Sequence, residues 1–407
     1  MTDSTEEESS AERMARLRAG FAPRAAEMVA GLGGPAVLFE ERLPAQGHWF
    51  IDDDVLAVVG GPDETQAGID LLLAYGLAWA GDRDLWVVLP MGLHRPTMYR
   101  WPWIDPHVRL WNYFGETVDE RVVPARVEVQ GGLKDPLTKD IHGLGDREEW
   151  VAGVVGWADG HGDLVDASRG SYRSWHCEGR QVLRLERTHA GVRVTAGVAY
   201  SKPTPDQVAA DIVELDGPAT SEQYAVIRAA VEVAVARRKD GTDDPHLEHR
   251  FQARLQPSDL GLVEWDRERP AVRSGGALGF IDFLGVDPGG VVHVVETKIG
   301  PDPMLALQGL DYWVWATAHL ETLSERFQTA VSKVVLDFVV APKPGSEKAL
   351  SPYTAPVAAA LDGRKSTEGA QVSTGVADQR VVAGLAVEHV VAAERRSLAF
   401  REEVAAG

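Results

Sequence analysis

The chain has 407 residues and a formal net charge of −20, with 44% apolar and 25% charged residues. That length exceeds one ordinary hydrophobic core, and the composition is that of a globular protein with a sizeable interior, so two or three domains are expected. The charge excludes a general nucleic-acid coat, whose affinity comes from neutralising phosphates. The single cysteine, Cys177, excludes an internal disulfide and a cysteine-built zinc site.

The first ten residues are acidic and serine-rich and read as disordered, followed by a short helical stretch to about residue 24. His48 to Gly60 reads as one strand. Thr65 to Ala80 has helical spacing, with Ile69, Leu72, Leu73 and Leu77 on one side. Asp84 to Leu89 and Val108 to Tyr113 read as short buried strands, so the pattern is α/β. Neither a Walker-type loop nor a GxGxxG is present, which removes the usual nucleotide-driven motor. Between Met91 and Trp111, the residues His94, Arg95, Tyr99, Arg100, Trp101, Trp103, His107 and Arg109 interleave basic and aromatic side chains. Such a run stacks bases and holds phosphates. The plainer reading is a tryptophan-rich lid over the core, with arginines reaching out to water.

Gln130 to Arg147 reads as a loop rich in Gly, Asp and Lys. Trp157 to Asp166 carries three acids and two histidine-flanking glycines, but it lacks the terminal glutamate of a calcium loop and reads as a surface turn. Gln181–Glu186 and Val192–Tyr200 alternate around Thr188–Gly191 and form a hairpin. His176 and Cys177 are adjacent on a strand, point to opposite faces and cannot form a nucleophile pair. Ser221 to Arg238 is a strong helix, capped by Thr220 or Ser221, with Val226, Ile227, Ala230, Val231 and Ala234 as its apolar stripe. The breaker at residues 240–245 marks a domain boundary, after which Asp244 caps a helix running to about Leu255.

The most informative stretch follows. Gly279–Leu284 is an apolar run carrying one acid, Asp282. An Asp287-Pro288-Gly289-Gly290 turn leads to Val291–Val295, which ends in Glu296-Thr297-Lys298. Two β-branched runs about such a turn make a hairpin. The second run is apolar at nearly every position, as in a strand buried on both faces. Folding about the turn puts Asp282 opposite roughly residue 295, beside Glu296, while Glu296 and Lys298 share a face. Two buried acids so close need a proton or a cation; a lysine neutralises one, and Mg²⁺ with its oxygen ligands neutralises both. The bland alternative is a buried Glu296–Lys298 salt bridge with Asp282 as a cap. Met304 to Leu320 then reads as a helix with Gln308, Tyr312 and Trp315 on one face, Val334–Val340 as a strand, Pro352–Leu361 as a short helix, and 380–391 as one or two final strands.

The pattern Asp282, thirteen residues, Glu296-Thr297-Lys298, followed by Gln308 and the aromatics Tyr312 and Trp315, resembles the PD-(D/E)xK, or restriction-endonuclease-like, nucleases. The resemblance covers about residues 244–345. It implies a fold of the α/β class: a restriction-endonuclease-like mixed β-sheet flanked by helices over 241–407. This follows a 1–24 terminus and a separate α/β domain over 25–240, with its hairpin at 180–200, that serves recognition, dimerisation or regulation. It further implies Asp282, Glu296 and the Thr297 carbonyl as ligands of Mg²⁺ (or Mn²⁺). Lys298 and Gln308 then act beside them, and Glu248, from an earlier helix, steers the metal. The implied function is metal-dependent endonuclease cleavage of DNA, in repair or in defence against foreign DNA, with a homodimer as a candidate state. The alternative is a catalytically inactive nuclease-like fold that binds nucleic acid or protein. No apolar run reaches a membrane span and no signal-peptide core opens the chain, so a cytoplasmic protein is expected.

Overall fold

The computed structural model describes residues 9–38, 46–104, 107–135, 144–166, 172–200, 208–240, 247–331, 333–343, 346, 348, 350–361 and 394–398. They form two compact units, with residues 135–260 as an insertion between the two halves of the other unit. The first unit begins with α1 (Ser10–Gly31), β1 (His48–Ile51), β2 (Val55–Val59), α2 (Gln66–Ala80), β3 (Asp84–Pro90), α3 (Arg95–Arg100), β4 (Val108–Phe114), β5 (Thr117–Glu120) and α4 (Arg126–Gly131). The strands make one sheet in chain order, with β2–β3 and β3–β4 parallel and both outer pairs antiparallel.

Two local readings change here. The stretch His48–Gly60 is a hairpin, because the Asp52 carboxylate accepts from the N–H groups of Asp54 (2.9 Å) and Val55 (2.7 Å) and turns the chain. The first helix does not stop near residue 24. It passes through Pro23 to Gly31, since Ala25, Met28 and Val29 pack under Phe50, Val59, Val88 and Trp111. That burial offsets the hydrogen bond the proline removes.

The second unit holds α5 (Ala152–Asp159), β6 (Val165–Asp166), β7 (Tyr172–Cys177), β8 (Arg180–Arg187), β9 (Val192–Ala196), β10 (Asp211–Leu215), α6 (Ser221–Asp240) and α7 (Leu247–Arg254). Its strands form an antiparallel meander in chain order. On α6, Ile227, Val231, Ala234 and Val235 belong to the same core as Trp175, Leu183, Leu185 and Val194. Thr220 caps that helix by accepting from the Gln223 N–H. Cys177 is buried in this core, and burial pushes its thiol up to about 11.

The chain returns to the first unit through β11 (Glu264–Val272), β12 (Leu278–Val286), β13 (Val291–Ile299), α8 (Leu305–Ala318), α9 (Leu320–Phe327), β14 (Lys333–Ala341), α10 (Thr354–Leu361) and β15 (Glu394–Leu398). The final strands expected over 380–391 lie outside the described residues. This second sheet is mixed: β11, β12 and β13 run as an antiparallel meander, α8 and α9 cross over to β14 parallel to β13, and β15 pairs antiparallel to β14. The long helix expected over 304–320 breaks at His319, whose Nδ1–H reaches the Trp315 carbonyl at 2.7 Å.

The units do not divide at residue 241. Leu56, Ile69, Leu72 and Leu85 share one core with Ile281, Val294, Leu310, Trp313 and Leu336. A buried arginine joins the same halves. Arg100 grips Asp311 through Nε and Nη2, both at 2.8 Å, and Asp70 through Nη1 at 2.7 Å. The aromatic-basic run is thus split in its role. Arg100, Trp101 and Trp103 are core groups, whereas Arg95 and Tyr99 stand at the surface. Among the described residues no helix is long and apolar enough to cross a membrane.

Candidate functional site

The β12–β13 ladder explains how two acids come together. It pairs Val286 with Val292 and continues to Phe283 with Val295, where it ends, although both strands run on. Beyond that pair, side chains replace the backbone bonds. The Asp282 N–H points at Glu296 Oε1 (3.5 Å), and the Asp282 Oδ2 accepts from the Thr297 N–H (2.7 Å) and hydroxyl (2.6 Å). Each carboxylate therefore serves the opposite strand's backbone, and the two acids converge where the strands part. The register is one step from the sequence-based one, with Phe283 rather than Asp282 opposite Val295.

Glu296 is 2% exposed. Burial first, and the neighbouring Asp282 charge second, hold its carboxyl well above the usual carboxylate range, against the opposing pull of Arg273 and Lys298. Gln308, on α8, donates to Glu296 Oε2 at 3.0 Å. Lys298 lies on the same strand face as Glu296, with its ammonium 3.6 Å from Asp302 and its side chain 31% exposed. Thr297 is buried and meets Asp282 through its N–H and hydroxyl. Glu248 lies on α7 in the second unit, whereas Asp282, Glu296, Thr297, Lys298 and Gln308 all belong to the first.

Several further residues surround the acids. Arg273 reaches Asp311 (3.4 Å) and lends positive potential to Glu296. The Tyr312 hydroxyl accepts from the Phe280 N–H (3.1 Å), two residues before Asp282 on the same strand, and burial raises its own pKa. Gly279 makes that approach possible: a Cβ there would lie 2.5 Å from the hydroxyl. Asp302 accepts from the Met304 N–H at the start of α8 while facing Lys298. Glu268 is the register neighbour of Asp282 on β11, between the pairs Arg267–Phe283 and Arg269–Ile281, and it sits at φ 46°. A non-glycine residue held in the left-handed region is a local strain, and such strains cluster at functional sites. Only the Tyr312 spacing was visible in the sequence; the other contacts depend on loops and on strand register.

Among the described residues no three His, Cys, Asp or Glu side chains form a ready cage for a metal. The donor set is two carboxylates, one of them with its pKa raised by burial first and by the other's charge second. This fits a hard dication that keeps several waters, because such an ion needs only one or two protein carboxylates. No protein-family model matches the chain, and no curated protein matches it in sequence.

Proposed function

We propose that the first unit is a metal-dependent nuclease that hydrolyses phosphodiester bonds in DNA. The observation that carries this reading is the meeting of Asp282 and Glu296 at the parting of a buried strand pair, with Glu296 forced toward its protonated form. A mixed sheet in which β12 and β13 form a hairpin and α8 and α9 cross over to a parallel β14 supports the reading.

Asp282 and Glu296 would hold the ion, with Mg²⁺ or Mn²⁺ as the candidates. Bound there, the dication lowers the pKa of a water and offsets charge on the phosphate oxygens. Gln308 fixes the rotamer of Glu296, and Thr297 fixes that of Asp282, so both carboxylates are oriented before any ligand arrives. Lys298 supplies a positive charge beside the acids and stabilises negative charge that develops on the scissile phosphate. Asp302, 3.6 Å away, pairs with its ammonium. The reading uses no residue of the second unit, for which recognition, dimerisation or regulation is the proposed role.

The test is to incubate the purified protein with linear, circular, single-stranded and branched DNA in Mg²⁺, Mn²⁺ or EDTA. Cleavage that needs the metal and disappears in Glu296→Ala and Lys298→Ala supports the reading. A Lys298→Ala protein that cuts at the wild-type rate overturns it. The net charge of −20 favours one second reading, an inactive nuclease-like fold that binds a protein partner. Under that reading Mg²⁺ and Mn²⁺ do not bind specifically and no substrate is cut.

A further inference from the structure

A second site is built on the N-terminal sheet of the first unit, from residues far from the acid pair in sequence. Strands β3 and β4 are parallel, and their carboxyl ends open into a pocket of about 590 Å³, a volume in the range of small-molecule sites. Asn112, from β4, lines the pocket and is 1% exposed, yet its Oδ1 has no hydrogen-bond partner among the described residues. A buried acceptor left unmatched costs about 1–3 kcal/mol, so it calls for a donor.

The rest of the lining defines that donor's carrier. Arg95 and Arg121 both face the pocket, and among the described residues neither forms an ion pair; the Nε of Arg121 is buried without a partner. Their two charges, after burial, keep the pocket's His94 below its ordinary value, so the imidazole adds no third positive charge near neutrality. Tyr99, 36% exposed, offers a ring at the rim. Glu128 also lines the pocket, but it is occupied in accepting from the Ala125 N–H at the start of α4.

We propose that this pocket binds a mononucleotide, with its phosphate on Arg95 and Arg121, its base against Tyr99, and an amino group of the base donated to Asn112 Oδ1. The pair of guanidinium groups suits a phosphate, which accepts bidentate bonds. An exposed aromatic ring suits a base face. The unmatched acceptor selects a ligand with an N–H beyond the phosphate, which a simple anion lacks. The proposal does not depend on the acid pair, and it stands or falls separately from nuclease activity.

The experiment is calorimetric titration of the full-length protein in EDTA with AMP, CMP, ribose 5-phosphate and inorganic phosphate. AMP and CMP are expected to bind about tenfold or more tighter than ribose 5-phosphate, the value of one buried hydrogen bond. Arg95→Ala, an exposed change that leaves the fold alone, should weaken AMP and ribose 5-phosphate alike. Asn112→Leu should reduce AMP to the ribose 5-phosphate level without lowering the thermal midpoint, because the Oδ1 it removes is a buried acceptor left unmatched in the unliganded protein. AMP binding no tighter than ribose 5-phosphate, equal binding of inorganic phosphate, or no binding of any of the four overturns the proposal. So does an Asn112→Leu protein that keeps full AMP affinity.

Discussion

Replacing Arg100 by methionine tests whether the two halves of the first unit share one fold. Arg100 is 2% exposed and makes four hydrogen bonds, two to Asp311 and two to Asp70. Methionine keeps the bulk of the stem but removes the charge. Asp311, 1% exposed at its side chain, retains the Ser274 hydroxyl at 2.6 Å and the more distant Arg273, whereas Asp70 keeps only the Gln66 amide at 3.0 Å. Breaking one member out of a buried ion pair costs about 3–5 kcal/mol, because the remaining charges stay buried. The surviving partners of Asp311 place the loss near the lower end, at about 3 kcal/mol. That is a large part of the roughly 5–15 kcal/mol of a typical domain. The assay is urea denaturation followed by tryptophan fluorescence, comparing midpoints at constant slope. Adding Asp70→Asn and Asp311→Asn to Arg100→Met should recover most of the loss, since an uncharged triad has no stranded ions. A single-mutant loss below about 1 kcal/mol, the value of a surface pair, would show that the triad is wet and that the two halves do not depend on it.

Other consequences follow from the same structure. A fragment of residues 241–407 should fail to fold, because Leu310, Trp313 and Leu336 share their core with Leu56, Leu72 and Leu85; a sharp cooperative melt of that fragment would refute the shared core. In EDTA, wild-type stability should fall as pH rises above the ordinary Glu value of 4.5. The sign follows from Glu296: its folded carboxyl keeps a proton that the unfolded chain has already released, so the folded state binds more protons in that window. The slope is at most about 1.4 kcal/mol per pH unit, and it should vanish in Glu296→Gln. Native Cys177 should resist alkylation at pH 8, since its thiol is buried and pushed up to about 11; labelling at the rate of an unfolded control would show that the second unit opens freely.

The site hairpin was legible because its signals are local. The Asp287-Pro288-Gly289-Gly290 turn closes through Asp287 Oδ1, which accepts from the Gly289 and Val291 N–H groups, and the β-branched runs on either side leave little choice of pairing. Gln308 was legible for a similar reason: helical spacing from Tyr312 puts it on the face that meets β13. The division of the chain was not legible. Nothing local distinguishes a linker between two domains from the far end of an insertion, and the joining contacts, such as Arg100 with Asp311, span more than two hundred positions. Arg100 itself read as a lid arginine reaching for water, because its partners are remote in sequence. Asp302 and Arg273 were hidden because loop residues carry no periodicity to place them.

The acid pair also has a structural duty, and this bears on how its function can be tested. Because the backbone ladder stops at Phe283 and Val295, the Asp282 and Thr297 N–H groups depend on the two carboxylates as acceptors. An alanine at either position removes charge and acceptor together, so loss of activity alone would not separate a broken site from a loosened sheet. An amide keeps a carbonyl oxygen for the N–H while removing the charge. Glu296→Gln should therefore hold the fold, and in EDTA it should be at least as stable as wild type at neutral pH, since it removes a buried charge facing Asp282. The metal response separates the two duties. At about a hundred times its dissociation constant, a bound ion stabilises by about 2.7 kcal/mol. Wild type should show that gain in Mg²⁺ or Mn²⁺, and Glu296→Gln should not. If both proteins respond equally, or neither responds, the carboxylates are there only to close the gap between the strands.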